Sequence, residues 1–170
     1  GEFFGDGMER AFHFDLSSGT FTDLHELFNL PGSAVGTQAN AINESGVIAG
    51  LYDAANVHNP LVYDRSQASG SDVVSLGYGH WNSRPRDINE DGRVLLGPMR
   101  YVDYADGAAS DPVVIGEFGD FDSTFDINDA GMIVGEARPS GEPDFLFAYD
   151  SAAANPEIID LNSALEAAFG

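Results

Sequence analysis

Oxygen-bearing side chains alternate along one short segment, in a pattern that could bind calcium. Asp87, Asn89 and Asp91 are each separated by one residue, and Gly92 follows them. Hard oxygen ligands at alternate positions before a glycine turn suit Ca²⁺. A complete loop of this kind would need a glutamate where Pro98 stands. The alternative interpretation is a hairpin turn that is stabilised by hydrogen bonds from the asparagine side chain to the backbone.

A run of carboxylates between two glycines could perform acid–base chemistry. Two carboxyl groups held close together form the catalytic pair of most glycoside hydrolases. The alternative is a solvated acidic turn, which arises easily in a chain with 28 acidic residues. The carboxylates of this run are Asp120, Asp122, Asp126 and Asp129.

Three aromatic rings lie close together in a glycine-rich segment, namely Tyr78, His80 and Trp81. An exposed aromatic group of this kind can stack on a sugar ring or on a side chain of a partner. The alternative is that the rings pack within the sheets. The four histidines of the chain show no spacing typical of a zinc site, and the sequence contains no nucleophile elbow, P-loop or dinucleotide fingerprint.

A sequence pattern that occurs three times predicts the turns and strands that would position these candidate side chains. Three segments share the order x-Ile-Asn-acid-x-Gly, followed by apolar residues and a second Gly, at residues 41–50, 87–97 and 126–135. The turn glycines are Gly46, Gly92 and Gly131, which are spaced by 46 and 39 residues. Glycine readily adopts the positive φ that a tight reversal needs. The pattern therefore predicts three hairpins, each turning between the asparagine and the glycine.

Further strand-like segments recur between these hairpins. An aromatic or apolar segment that ends in Asp occurs at residues 12–15, 61–64, 100–103 and 147–150. A second apolar segment follows each of them, at residues 21–24, 73–76, 113–115 and 158–161. Short runs rich in Val, Ile, Phe and Tyr between turn-forming residues are typical of β-strands. We also predict short helices at 23–30 and 163–169, the second capped by Asn162 or Ser163.

The expected fold is all-β, because each repeat supplies about four short strands, as in a propeller blade. We predict an antiparallel, β-propeller-like repeat array of about three and a half four-stranded blades, in a single repeat domain over residues 1–170. In this register the chain starts at the end of one repeat and stops within another. We therefore expect a partial propeller, which is a fragment of a longer chain or is completed by other chains.

The repeats resemble those of the HAF-repeat family of bacterial extracellular proteins. Phe21-Thr22-Asp23-Leu24 and the three Ile-Asn segments carry the resemblance, which covers nearly the whole chain. Arg10-Ala11-Phe12 stands where the family has His-Ala-Phe. The resemblance implies a secreted or surface-exposed protein with a propeller-like β fold and no established enzyme activity. Residues 87–92 also resemble the calcium loops of FG-GAP propellers.

Composition narrows the set of partners. The chain carries 28 acidic and 7 basic residues, and its formal net charge of −21 disfavours binding to nucleic acids and anionic lipids. It has no cysteine, which excludes disulfides, thiolate catalysis and cysteine-ligated metals. No apolar run reaches the roughly 18–20 residues of a membrane helix. The expected partners are other protein chains, with a carbohydrate as the alternative.

Three functions fit these observations. The first, which we favour, is a non-catalytic extracellular, cell-surface or periplasmic scaffold for protein–protein interaction or surface assembly, since incomplete repeats leave strand edges that can pair. The second is an adhesion or carbohydrate-binding module, stabilised by calcium at Asp87, Asn89 and Asp91; outside this hypothesis no cofactor is expected. The third is a glycan-active enzyme.

Overall fold

About half of the described residues lie in β-strands. The computed structural model describes residues 2–5, 7–28, 30, 34–67, 72–119 and 122–169. Strands account for 50% of the described structure and helices for 8%, so the all-β class that the sequence predicts is confirmed. The described elements are β1 (Glu2–Gly5), β2 (Met8–Asp15), β3 (Thr20–Asp23), α1 (Leu24–Leu27), β4 (Ala34–Ile42), β5 (Ile48–Ala54), β6 (Val57–Tyr63), β7 (Val73–Ser75), β8 (Pro85–Ile88), β9 (Arg93–Leu96), β10 (Arg100–Ala105), β11 (Ala108–Ala109), β12 (Val113–Val114), β13 (Ser123–Ile127), β14 (Met132–Ala137), β15 (Phe145–Asp150), β16 (Ile158–Asp160) and α2 (Leu161–Phe169).

The strands form four consecutive units. Unit 1 is β1–β3 with α1, unit 2 is β4–β7, unit 3 is β8–β12 and unit 4 is β13–β16. Within units 2 and 4, each strand pairs with the next strand in the sequence, in antiparallel order. In unit 3 the fourth strand position is divided between β11 and β12, which both pair with β10. A parallel pairing of β2 with β4 joins units 1 and 2 in one sheet, and no sheet of the described residues closes on itself.

The three predicted hairpins are present, and their turns have the same geometry. They connect β4 to β5, β8 to β9 and β13 to β14. The turn glycines Gly46, Gly92 and Gly131 have φ of +82°, +81° and +82°. Each glycine N–H donates to the carbonyl of the asparagine three residues earlier, at 3.0, 3.1 and 2.9 Å. The positive φ that the sequence predicts at these glycines is therefore confirmed.

Each hydrophobic core lies between two consecutive units. The core between units 1 and 2 consists of Ala11, Leu24, Phe28, Ile48, Leu61 and Tyr63. The core between units 2 and 3 consists of Ala49, Val62, Leu76, Ile88, Val94, Leu96, Val102 and Tyr104. The core between units 3 and 4 consists of Leu95, Met99, Tyr101, Ile115, Ile127, Ile133, Ala137, Phe147 and Tyr149. The units are thus held together by contacts with their nearest neighbours, as in repeat proteins.

Neighbouring residues of one strand face different cores. In β9, Val94 packs between units 2 and 3, while Leu95 packs between units 3 and 4. In β5, Ile48 faces unit 1 and Ala49 faces unit 3. Because successive side chains of a strand point to opposite faces, units 2 and 3 are sheets that pack on both sides.

Two short helices are present, and the residue predicted to cap the second one is wrong. The first helix is one turn, Leu24–Leu27, and the N–H of His25 donates to the Asp23 side chain at 2.9 Å. The second helix, α2, begins two residues earlier than predicted, at Leu161. Its cap is Asp160 rather than Asn162 or Ser163. The Asp160 carboxylate accepts the N–H of Asn162 at 2.8 Å and the N–H of Ser163 at 3.1 Å. A carboxylate at the end of β16 therefore supplies the acceptor that the first turn needs. No described helix is long and apolar enough to cross a membrane.

Candidate functional site

The structure brings Tyr78, His80 and Trp81 together on the wall of a cleft of about 480 Å³. The three residues lie on the connector from β7 to β8. The other walls come from the turn between β9 and β10, including Pro98, and from the connector between β12 and β13. Since successive turns of a meander alternate between its two ends, this cleft lies at the opposite end of the sheets from the asparagine turns.

The three rings form a continuous strip with one exposed member. The ring centroids of Tyr78 and His80 are 5.9 Å apart and the rings are stacked at 20°. The centroids of His80 and Trp81 are 5.5 Å apart, with the rings tilted by 41°. Tyr78 and His80 are half-buried, while 55% of Trp81 is exposed. The strip therefore presents the indole to solvent beside two half-buried rings.

A positioned ion pair completes the cleft. The Arg100 guanidinium lies over the Tyr78 ring, 4.7 Å from its centroid. Its Nη1 donates to the Pro98 carbonyl at 2.9 Å and its Nη2 to Glu117 at 3.1 Å. The Arg100 side chain is only 14% exposed, whereas that of Glu117 is 73% exposed. Sequence reasoning missed both residues, and the only signal was a lone arginine at the start of an apolar strand in a chain with 7 basic residues.

An asparagine ladder runs along the opposite end of the units. The Oδ1 atoms of Asn43, Asn89 and Asn128 accept the backbone N–H four residues later, at 2.9, 2.8 and 2.9 Å. The Nδ2 of Asn43 donates to the carbonyl of Asn89 at 3.1 Å, and the Nδ2 of Asn89 donates to the carbonyl of Asn128 at 3.2 Å. The Nδ2 of Asn128 donates to none of the described residues. The ladder thus has an open donor at unit 4.

The acidic position after each asparagine also links consecutive units. The Glu90 carboxylate of unit 3 accepts the N–H of Glu44 and, at 2.9 Å, the hydroxyl of Ser45, both in unit 2. The Asp129 carboxylate of unit 4 accepts the N–H of Glu90 at 3.0 Å. The repeated Ile-Asn-acid pattern therefore supplies hydrogen bonds between units as well as within each turn.

Two of the three predicted calcium ligands have partners within the protein. The Asn89 oxygen accepts the Arg93 N–H, as described, and Asp87 accepts the N–H of Ile127 at 3.0 Å. Burial and a hydrogen bond with Asp126 raise the pKa of Asp87. The Asp91 side chain is exposed. Among the described residues, no group of three His, Cys, Asp or Glu side chains could hold a metal ion.

The described carboxylates of the acidic run bond to neighbouring groups of the protein. Asp122 is 2% exposed and accepts the N–H groups of Phe118, Gly119 and Arg138, each at 2.8 Å. Asp126 is bonded to Asp87, and Asp129 accepts the Glu90 N–H. Asp120 lies outside the described residues. Asp122 lines the cleft, but both its oxygens are occupied by backbone donors, which suits a structural role.

The Asp122 position is a repeated structural feature that sequence reasoning missed. Thr37, Ser83 and Asp122 each lie six residues before a ladder asparagine. Their exposures are 0%, 0% and 2%. Thr37 accepts the Ala11 N–H at 2.9 Å, and Ser83 accepts the His80 N–H at 2.9 Å. The available signal was a short polar residue at a constant distance before each asparagine.

A histidine network nearby resembles a catalytic triad in composition but not in geometry. The Nδ1 of His58 bonds to Asp53, and the Nε2 accepts the Arg84 Nε–H at 3.2 Å. The Ser83 hydroxyl donates to the backbone carbonyl of His58 at 2.8 Å, not to its ring. The ring therefore has no free nitrogen to act as a base for the serine.

The aromatic cleft offers groups that a ligand could contact. It offers an exposed ring face and a charged pair, within the roughly 300–1,000 Å³ range of small-molecule clefts. The asparagine ladder, at the other end, offers a hydrogen-bonding pattern that another repeat would match. Comparisons with protein-family models, with curated proteins and with solved structures found no match to this chain.

Proposed function

We propose that the chain is a non-catalytic, extracellular β-repeat scaffold of the HAF-repeat type, which assembles with a further β-repeat unit of a second chain. The observation that carries the proposal is the open end of the asparagine ladder at unit 4. The extracellular location and the propeller-like arrangement are parts of the same proposal. The resemblance of the repeats to HAF repeats supports both, and the stacking of consecutive four-stranded units supports the second.

Among the described residues, no further β unit packs on the outer face of unit 4, whereas the same face of units 2 and 3 is covered by the following unit. Ala49, Leu95 and Val134 occupy the same position, three residues after the turn glycine. Ala49 and Leu95 are 0% exposed against the following unit, whereas Val134 is 36% exposed. Leu146 on β15 and Ile159 on β16, the next two strands of the sheet, are each 48% exposed. Exposed apolar patches on a sheet commonly mark an interaction surface.

The occupant that fits this face is another β-repeat unit. The ladder donates from each asparagine to the asparagine carbonyl of the following unit, so the free Nδ2 of Asn128 matches that carbonyl of a further repeat. The apolar side chains beside it match the inward face of such a unit, as between units 3 and 4. Head-to-tail contacts of this kind build rings or open arrays.

Sedimentation velocity over a range of concentrations tests the proposal. We expect the chain to self-associate through the exposed apolar side chains of unit 4, and Val134→Glu to leave it monomeric because a carboxylate would be buried in the new interface. Val35→Glu is the matched control, since Val35 is a strand valine that is 63% exposed on unit 2. Far-UV circular dichroism and urea unfolding check that both variants fold. A wild-type chain that stays monomeric up to about millimolar concentration, or equal effects of the two variants, would overturn the proposal.

A further inference from the structure

We propose that the cleft of Tyr78, His80, Trp81, Arg100 and Glu117 binds a neutral saccharide. The site is separate from the outer face of unit 4, so saccharide binding does not depend on assembly of the chain. The exposed indole, the charged pair beside it and the charge of the whole chain support the proposal.

The exposed indole supplies an apolar surface suited to a sugar ring. Trp81 is 55% exposed. A tryptophan side chain has a large apolar area, so a ligand that covers this ring removes that area from water. The face of its π system carries negative potential. The C–H groups on one face of a pyranose carry a partial positive charge, so they pack favourably on such a ring. The indole contacts the ring of His80, which in turn stacks on Tyr78.

The ion pair supplies the polar groups that hydroxyls need. A sugar hydroxyl both donates and accepts, so it can bond to a guanidinium and to a carboxylate at once. Three contacts, to the Tyr78 ring, to the Pro98 carbonyl and to Glu117, hold Arg100 in position. Its guanidinium has five N–H groups, more than these two hydrogen bonds use. The pair is therefore preorganised, which lowers the cost of ordering it on binding.

The same groups favour a saccharide over a proline-rich peptide. Such peptides also dock on aromatic grooves, but they offer mainly carbonyl acceptors. Glu117, which is 73% exposed at the cleft, would then have no donor from the ligand. The formal charge of −21 also disfavours acidic sugars. The ligand class that uses every group of the cleft is a neutral sugar.

Trp81 is the only tryptophan of the chain, so its fluorescence reports on this cleft alone. The experiment measures acrylamide quenching of Trp81 in the presence of neutral gluco-, xylo-, manno- and galacto-oligosaccharides. Oligogalacturonides and a proline-rich peptide serve as comparison ligands. We expect at least one neutral saccharide to reduce the quenching in a saturable way, and the acidic sugars and the peptide to have no such effect.

Variants then separate binding in the cleft from binding elsewhere. Calorimetric titration with the best saccharide should show at least a tenfold loss of affinity for Trp81→Ala and about a tenfold loss for Glu117→Gln, the scale of one lost hydrogen bond to a charged group. Leu16→Ala, in an 89% exposed position between β2 and β3, is the control and should bind as the wild type does. Three results would each overturn the proposal: no protection of Trp81 by any neutral saccharide, protection by the peptide alone, or unchanged affinity in Trp81→Ala.

Discussion

The three turn glycines allow one experiment in which the backbone is constant and only the surroundings differ. Gly46, Gly92 and Gly131 have the same positive φ, within 1° of one another. An alanine in this left-handed conformation costs about 1 kcal/mol wherever it is placed. Any further cost of Gly→Ala at these positions must come from what the new Cβ meets. The set therefore separates backbone strain from steric overlap.

The new Cβ meets three different environments. At Gly46 it has no neighbour within 4 Å. At Gly131 the nearest atom is the Ser151 hydroxyl oxygen at 3.1 Å, so a side chain must shift slightly. At Gly92 the Cβ would lie 2.2 Å from the carbonyl oxygen of Tyr104, whose N–H also donates to the Gly92 carbonyl at 3.0 Å. Only the last clash involves backbone of a paired strand, which cannot move alone.

The expected losses of unfolding free energy follow this order. We expect about 1 kcal/mol for Gly46→Ala, about 1–2 kcal/mol for Gly131→Ala and about 2–4 kcal/mol for Gly92→Ala, since overpacking adds about 1–3 kcal/mol to the strain. Urea unfolding at pH 7, followed by far-UV circular dichroism, measures all three. Equal losses for Gly46→Ala and Gly92→Ala would show that the close approach of Tyr104 does not determine the cost.

Three further predictions concern the ladder, the carboxyl pair and calcium. Asn89→Asp keeps the oxygen that accepts within its own turn but removes the donor to unit 4, so it should lower the free energy of unfolding by about 1 kcal/mol. Asn128→Asp, which has no such donor bond to lose, should change the free energy of unfolding of the monomer by less than about 0.5 kcal/mol. Similar losses for the two variants in urea unfolding would contradict an open end at Asn128. Because burial and Asp126 raise the pKa of folded Asp87, its carboxyl stabilises the fold below the unfolded pKa of about 4 and loses that contribution as pH rises through the folded pKa. Asp87→Asn should therefore gain stability over the wild type from pH 4 to pH 7, and a constant difference in urea midpoints over this range would refute the coupling. Since Asn89 and Asp87 already have partners in the protein, EDTA should leave the thermal midpoint unchanged, and a lower midpoint that Ca²⁺ restores would support the calcium loop instead.

The hairpins could be predicted because their cause is local. A glycine three residues after an asparagine, flanked by β-branched and aromatic residues, specifies a tight turn between two strands without help from the rest of the chain. The Tyr78, His80 and Trp81 strip was also visible, because its members are adjacent in the sequence. The cap of α2 could not be predicted, because the sequence pattern places Asp160 at the end of a strand. Asp160 caps the helix only through its side chain.

The partners across units could not be predicted in the same way. Asn43 and Asn89 are 46 residues apart, so the repeat predicts that they are equivalent but not that one donates to the other. Arg100 reaches the cleft from the start of β10, and Glu117 reaches it from the connector between β12 and β13. Asp87 and Asp126 matched as copies of one position, yet the pattern gave no indication that their carboxyl groups meet between two units. These contacts depend on how the sheets stack.

The unequal spacing of the repeats shows which end of a unit is free to change. The interval from Asn43 to Asn89 is 46 residues and that from Asn89 to Asn128 is 39, yet the two ladder bonds measure 3.1 and 3.2 Å. The extra length lies in the hairpin of β5 and β6, which pair over seven residues, whereas β9 and β10 pair over four. A unit can therefore be lengthened at its cleft end without disturbing its stacking. Variation in the length of these hairpins would alter the cleft end of a unit while leaving its contacts with the neighbouring units intact.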